Sequence, residues 1–267
     1  MFGIFAPSKI TKYQIMKILY FTATGNCLYV AKQLGGELLS IPQLMKSGTF
    51  SIEDDVVGVI SPVYCADMPK MVQRYLGQAK IKAHYVFGIC TYGYQAGGAM
   101  QHMHQYLTKA AGHAEYVNKL IMVDTALQRF ETAKQIANLP KKEVGRHLAE
   151  IVADINSRRS FIGKTNFNDR MIDRVYHALG KAEIADDKAK KYIVDENCIG
   201  CGTCAKVCPS DNIEIRDKRP VFLNRCEGCF GCLHNCPKVA IHLKDEQSTV
   251  RFRNSEVKIS EIIAANK

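Results

Sequence analysis

No stretch of the 267-residue sequence approaches the ~18 consecutive apolar residues of a membrane-spanning helix, which excludes an integral membrane segment. The opening Met1-Phe-Gly-Ile-Phe-Ala6 is too short for a secretory signal and is soon interrupted by Pro7 and Lys9. The expected location is therefore cytoplasmic. No basic stripe interleaved with aromatic residues and no recognition-helix motif is present, so nucleic acid is not an expected partner. Neither a positioned acid–base pair nor a substrate pocket can be named. What remains is an ordinary balance of 47% apolar and 23% charged residues, enough for a substantial core and for one large domain or two. Residues 1 to 15 read as an upstream extension, because Met16 stands directly before the first expected strand.

Cysteine is plentiful, and it is ordered. Cys198, Cys201, Cys204 and Cys208 precede Pro209, and Cys226, Cys229, Cys232 and Cys236 precede Pro237, so that C-x2-C-x2-C-x3-C-P is written twice. The constant offset from Cys198 to Cys226, 28 residues, marks an internal duplication. Three thiolates at two-residue gaps can wrap one [4Fe-4S] cube, with the fourth cysteine of each run thrown across to the other cube. That rule assigns Cys198, Cys201, Cys204 and Cys236 to one cluster and Cys226, Cys229, Cys232 and Cys208 to the other. Paired zinc sites are the alternative, although zinc modules rarely combine a tight triplet with a fourth cysteine and a following proline. A unit this small buries little surface, so its clusters must supply much of its folding energy. Backbone N–H groups near Gly200, Gly202, Gly228 and Gly231 are candidates for tuning the sulfurs. The remaining Cys27, Cys65 and Cys90 are expected as thiols in a reducing compartment, and open-edged clusters favour an oxygen-poor setting.

In the first half, Lys17 to Thr22 reads as a strand that runs into Thr22-Ala-Thr-Gly-Asn-Cys27, after which Leu28, Ala31, Leu34 and Leu38 recur at helical spacing. A loop between a strand and a helix N-terminus aims N–H groups and the positive end of the helix dipole at a phosphate. Neither Gly-Lys-Ser/Thr nor G-x-G-x-x-G is present there. The apolar runs Val56 to Ile60, Tyr85 to Cys90 and Leu120 to Val123 lack alternation, as expected of parallel strands buried on both faces. The first two end in Gly/Pro-punctuated loops, Ser61 to Pro69 and Thr91 to Gly98, where an open doubly wound sheet binds ligands.

Thr22-Ala-Thr-Gly-Asn-Cys27 resembles the phosphate loop of the flavodoxins, with Cys27 where that loop ends in a hydroxyl. Together with the cysteine runs, residues 16 to 243 resemble the flavodoxin–ferredoxin fusion proteins of anaerobic electron transfer. The resemblance implies an α/β flavodoxin-like doubly wound parallel sheet that holds FMN over 16–160 and a helical connector over 161–188. It further implies a small α+β bacterial ferredoxin domain with two [4Fe-4S] clusters over 189–243 and a C-terminal tail with a short helix over 244–267. It gives the FMN phosphate to Thr22, Ala23, Thr24, Gly25, Asn26 and Cys27. Tyr64 and Tyr92 would stack on or edge the ring, with loop or core roles as the alternative, and Gly93, Gly97 and Gly98 would let backbone approach it.

The expected function is electron relay between the clusters and FMN. Two alternatives stay open: an FMN-dependent reductase of a small molecule or quinone fed by its own ferredoxin unit, and a ferredoxin with a flavin-free docking domain. The formal charge of +10 falls to about +4 once two oxidised clusters and a flavin phosphate are counted, a balance suited to an acidic redox partner protein or simply to a solvated lysine-rich surface. Two amphipathic helices are expected, one through Val144, Leu148, Ile151, Val152 and Ile155 and one through Met171, Ile172, Val175 and Leu179. The scattered His102, His104, His113, His147 and His177 read as surface or satisfied histidines. A hairpin is expected around Arg216 to Pro220, a counterpart strand at Val239 to Leu243, and a docked helix following Asn254 or Ser255.

Overall fold

The computed structural model describes residues 16–178 and 188–267. The expectations for residues 1–15 and for Leu179 lie outside the described residues, as does the side chain of His177. In the first unit the chain order is β1 (Met16–Tyr20), α1 (Asn26–Leu34), β2 (Glu37–Ser40), α2 (Ile41–Ser47), β3 (Ser51–Glu53), β4 (Val56–Pro62), α3 (Lys70–Leu76), β5 (Lys80–Lys82), β6 (Tyr85–Tyr92), α4 (Ala99–Ala111) and β7 (Tyr116–Ile121). It continues through α5 (Thr132–Ala137), a 3-10 turn (Leu139–Lys142), α6 (Val144–Asn156), β8 (Phe161–Ile162) and α7 (Phe167–Ala178).

Six strands form one sheet in the order β2-β1-β4-β6-β7-β8, and every pairing in it is parallel. Numbered within the sheet this is 2-1-3-4-5 with a short sixth strand, the flavodoxin-like winding. Successive residues of β1 serve opposite faces. Ile18 and Tyr20 pack beneath α1 and α6, while Leu19 and Phe21 pack with Met71, Val72 and Tyr75 of α3 and with Met100 and Met103 of α4. Burial on both faces is why these strands carry continuous apolar runs.

Three boundaries differ from the sequence pattern. Leu38 does not extend α1: the helix stops at Leu34, Gly35 and Gly36 turn at φ of 79° and 84°, and Leu38 pairs with Ile18 in β2. A Cβ on Gly36 would lie 2.5 Å from the Met16 carbonyl oxygen, so only glycine lets the chain reverse this close to β1. The strand expected at Leu120 to Val123 is β7, Tyr116–Ile121. Its polar Asn118 and Lys119 hid the first half, yet Asn118 donates to the Tyr116 hydroxyl at 2.8 Å and Lys119 pairs with Asp169 at 3.1 Å. The sheet also runs past residue 160, because Phe161 and Ile162 pair with Tyr116 and Val117.

The second unit contains a 3-10 turn (Lys188–Lys191), β9 (Tyr192–Val194), α8 (Thr203–Lys206), β10 (Ile213–Arg216), β11 (Arg219–Phe222), α9 (Gly231–His234) and β12 (Ile241–Leu243). β10 and β11 form the expected hairpin, turned by Asp217 and Lys218 at φ of 47° and 59°, a primed turn that suits strand twist. β12 pairs antiparallel with β9. The tail helix α10 (Ile259–Asn266) starts only after Lys258, whose N–H is accepted by Glu261 at 2.7 Å, because Asn254 and Val257 are engaged with the first unit. α10 docks on α1 and α2: Lys32 pairs with Glu261 at 2.8 Å, Lys46 donates to the Asn266 carbonyl at 2.7 Å, and Ser40 donates to the Ala265 carbonyl. No helix among the described residues is long and apolar enough to cross a membrane.

Candidate functional site

The sheet's carboxyl edge opens into a solvent-connected cavity. Thr22, Ala23, Thr24, Asn26 and Cys27 line one side of it, Tyr64 and Cys65 a second, and Tyr92, Gly93 and Tyr94 a third. The residues expected to meet FMN are thus brought together, with three glycines as exceptions. Gly25 points away: at φ 95° its missing Cβ would sit 3.0 Å from Val257 of the tail. Gly97 and Gly98 also lie outside the lining and pack closely on Ala66 and Asp173.

Helix α1 begins at Asn26, and its first internal bond runs from the Tyr29 N–H to the Gly25 carbonyl at 2.8 Å. The N–H groups of Asn26, Cys27 and Leu28 therefore have no intrahelical partner. Thr22 Oγ1 is buried with no hydrogen-bond partner. The Cys27 thiol turns inward to Thr91 Oγ1 at 3.2 Å, and burial pushes it up to about 12, so at neutral pH it is a neutral thiol committed to the core. Asn26 Nδ2 reaches the Val123 carbonyl at 3.4 Å, which ties the loop after β1 to the loop after β7.

Tyr64 is half-buried and meets Phe21 edge-on with ring centroids 6.3 Å apart; burial, then the nearby Cys229, Cys27 and Glu227, drives its phenol well above its ordinary range. Lys119 lies over the Tyr92 ring at 5.4 Å. Sequence reasoning missed a fourth wall, residues 122–130 and α7. There Tyr94 packs against Phe130 at 5.3 Å, Arg129 lies over Tyr176 at 5.4 Å, and burial raises the Asp124 carboxyl. Lys142 bridges two of these loops by donating to the carbonyls of Gly93 at 2.9 Å and Met122 at 2.5 Å. No local motif announces these residues. His102, expected as a satisfied histidine, stands 3.0 Å from Asp67 and 3.7 Å from Asp173, between the loop after β4 and α7.

The eight cysteines of the repeated pattern divide between two further cavities. Cys198, Cys201, Cys204 and Cys236 line one, and Cys208, Cys226, Cys229 and Cys232 line the other. The two differ in exposure: Cys201 of the outer set is exposed, whereas Cys208, Cys229 and Cys232 of the inner set are buried. Backbone amides already point at sulfur, from Asn212 to Cys208 at 3.2 Å, from Gly228 to Cys226 at 3.3 Å and from Ala240 to Cys236 at 3.3 Å. Such bonds stabilise thiolate and shape a cluster's potential. No group of three or more His, Cys, Asp or Glu side chains among the described residues is arranged to hold one metal ion.

The large cavity and the inner cysteine set share a wall. Gly228, Cys229 and Phe230 line the large cavity directly, opposite the sheet loops. His234 and Asn235 then hold two of its rims: His234 Nε2 donates to the Thr125 carbonyl at 3.0 Å and Asn235 Nδ2 to the Ala23 carbonyl at 3.1 Å. Because His234 Nδ1 accepts from the Phe252 N–H at 3.1 Å, the proton resides on Nε2. Glu227 accepts from the Met71 N–H at 3.0 Å and pairs with Arg74 at 2.5 Å.

The chain thus joins a parallel sheet wound in the flavodoxin-like order to a small cysteine-rich unit. Residues 190–237 match the family described as the 4Fe-4S dicluster domain. Among curated proteins no relative matches the chain. Among solved structures it is similar to rubredoxin oxygen:oxidoreductase from the anaerobe Desulfovibrio gigas, at 16% identity and a TM-score of 0.30 over 52% of this chain and 37% of that one. A flavoprotein in complex with FMN from Lactobacillus acidophilus is 12% identical over 48% of this chain and 99% of its own, with a TM-score of 0.29. The two-electron reduced flavodoxin of Megasphaera elsdenii is 15% identical over 39% of this chain and 84% of its own, with a TM-score of 0.26.

Proposed function

We propose that the chain is an electron-transfer protein that relays electrons between two [4Fe-4S] clusters and FMN. The observation that carries this reading is the shared wall: the turn bearing the Cys229 thiol lines the same cavity as the phosphate-type loop and the two tyrosine loops. When bound, the clusters supply one-electron exchange and the flavin a one- or two-electron store. Cys198, Cys201, Cys204 and Cys236 would hold the outer cluster, and Cys208, Cys226, Cys229 and Cys232 the inner one, each set around its own cavity. Thr22, Ala23, Thr24, Gly25, Asn26 and Cys27 would hold the FMN phosphate, the unpaired Thr22 hydroxyl and the free N–H groups of α1 being the fitting donors. Gly25 acts through the turn it permits, and Cys27 through its backbone. Tyr64, Tyr92 and Gly93 would face the ring.

Functionally the chain divides into a flavin unit over 16–160 extended by β8, a connector that includes α7, a ferredoxin unit over 189–243 and a tail over 244–267 that straps them together. The partner would be a redox protein, and the positive balance suits an acidic one. Anaerobic reconstitution followed by iron, sulfide and flavin quantification tests the reading. Wild type should hold two clusters and one FMN. Cys236→Ala and Cys208→Ala should each lose about half the iron, the first keeping the inner and the second the outer cluster spectrum. Stoichiometric zinc, or absence of yellow absorbance after reconstitution, would refute the relay.

A second reading, reduction of a small molecule or quinone, is favoured by the open aromatic rim of the cavity. Tyr94 there is 62% exposed beside Phe130, with Arg129 next to it. Catalytic consumption of a specific acceptor by the reduced protein would establish it over a carrier.

A further inference from the structure

We infer that the flavin cavity is a composite site, finished by the 226–235 segment, so that ligation of the inner thiols is a precondition for tight flavin binding. The inference rests on the proposed function and goes beyond it, because two adjoining cofactor sites need not depend on one another.

The first unit supplies four sides of the cavity and the segment 228–230 supplies another. The 226–235 segment around it contains three of the four inner thiols, Cys226, Cys229 and Cys232. Its regular structure is a single four-residue helix, α9, too short to persist by its own hydrogen bonds. Phe230 stands at φ 55°, a left-handed conformation that a bulky residue in a free chain has little reason to hold. Ligation of the thiols is therefore what orders it, in the way metal binding and folding are coupled in small metal domains.

Once ordered, the segment acts on the flavin site at two rims. Asn235, only 3% exposed, directs Nδ2 to the Ala23 carbonyl in the middle of the phosphate-type loop, and the neighbouring His234 takes the Thr125 carbonyl on the opposite rim. With the Ala23 carbonyl held outward, the loop's N–H groups are left to face the cavity. Close packing supports the contact, since a Cβ on Gly231 would lie 3.5 Å from the same carbonyl oxygen. The outer thiols line no part of the flavin cavity. Asn235 is therefore a positioning residue for the flavin, and the inner cluster a structural condition for its site. Linkage makes the effect mutual: bound flavin must favour the ligated segment by the same factor.

The test is FMN titration of the full chain by flavin fluorescence quenching under argon, with iron content assayed in every sample. The cluster-loaded chain should bind FMN at least tenfold more tightly than the chain stripped of iron. Cys226→Ala should behave like the stripped chain. Asn235→Ala with full iron content should bind at least fivefold more weakly than wild type, and Asn235→Gln should recover part of the loss. Equal affinity in loaded and stripped chains would overturn the inference while leaving the relay intact. Absence of FMN binding by the loaded chain would instead refute the relay itself. Unchanged affinity in a fully loaded Asn235→Ala chain would overturn the role of Asn235.

Discussion

Replacing Gly93 by alanine tests the packing of the proposed flavin cavity at a single methyl group. A Cβ at that position would lie 2.3 Å from both Cα and Cβ of Asp124, where ordinary contact starts at 3.4 Å. The loops after β6 and β7 must therefore separate by about 1 Å, and because the obstruction includes backbone, no rotamer change relieves it. Overpacking of this kind costs about 1–3 kcal/mol. The shift also pulls the Gly93 carbonyl from Lys142, which holds the two loops together through Gly93 and Met122. A lost bond to a charged group adds about 1.5–3 kcal/mol where the lysine finds no new partner. Gly93→Ala is expected to lower the free energy of unfolding by about 1–3 kcal/mol, rising to about 2.5–6 kcal/mol where the Lys142 bond is also lost, and to weaken FMN binding at least tenfold. Urea unfolding followed by circular dichroism gives the first quantity and flavin fluorescence the second. Gly145→Ala is the control: it lies in α6 with nothing within 4 Å of its missing Cβ, and alanine there should stabilise by about 0.5–1 kcal/mol. A Gly93→Ala chain with unchanged unfolding midpoint and FMN affinity would refute the steric argument.

Asn266 is fully buried and its Nδ2 serves two carbonyls, Thr22 at 3.3 Å and Val207 at 3.0 Å, one in each unit. Asn266→Ala should cost about 1–3 kcal/mol in urea unfolding, and a change near zero would show that the tail does not strap the units. Thr22→Val should leave the flavin-free chain as stable as wild type, because the hydroxyl is unpaired, yet weaken FMN about tenfold or more and leave riboflavin unaffected; comparative titrations decide, and equal losses for both ligands would remove Thr22 from the phosphate site. His102 is raised above 6.5, chiefly by its hydrogen bond to Asp67 and against the effect of burial, with Asp173 adding. Its stabilising contribution is full below pH 6.5 and disappears as pH rises through the folded-state value. The melting temperature of His102→Gln relative to wild type should accordingly improve from pH 6 to pH 9, and parallel curves would show that the imidazolium contributes nothing.

The helix through Val144, Leu148 and Ile151, the strands β4 and β6, and the β10–β11 hairpin were legible because their signals are local: helical period, doubly buried runs and turn residues. Strand β2 was not, since Leu38 fits a helical period and only the closeness of Gly36 to Met16 shows why the helix cannot continue. β7 was half hidden because its polar Asn118 and Lys119 are satisfied by the Tyr116 hydroxyl of the same strand and by Asp169 of α7. Of the cavity, the loops after β1, β4 and β6 could be located from the sequence. The wall formed by Asp124, Arg129, Phe130 and Tyr176 could not, because its residues share no spacing and meet only when α7 folds back over the sheet edge.

By itself the sequence determined the thiol pattern, the strand–loop–helix at Thr22 to Cys27 and the two-unit organisation, all properties of residues near one another along the chain. Tertiary structure alone decided that the inner thiols adjoin the large cavity, that His234 and Asn235 grip its two rims, and that Asn266 joins Thr22 to Val207. Those contacts link positions such as Ala23 and Asn235, more than two hundred residues apart. Their energy comes from burying donors and acceptors that pair only across the packed interface, and no local period in the sequence records such a pairing.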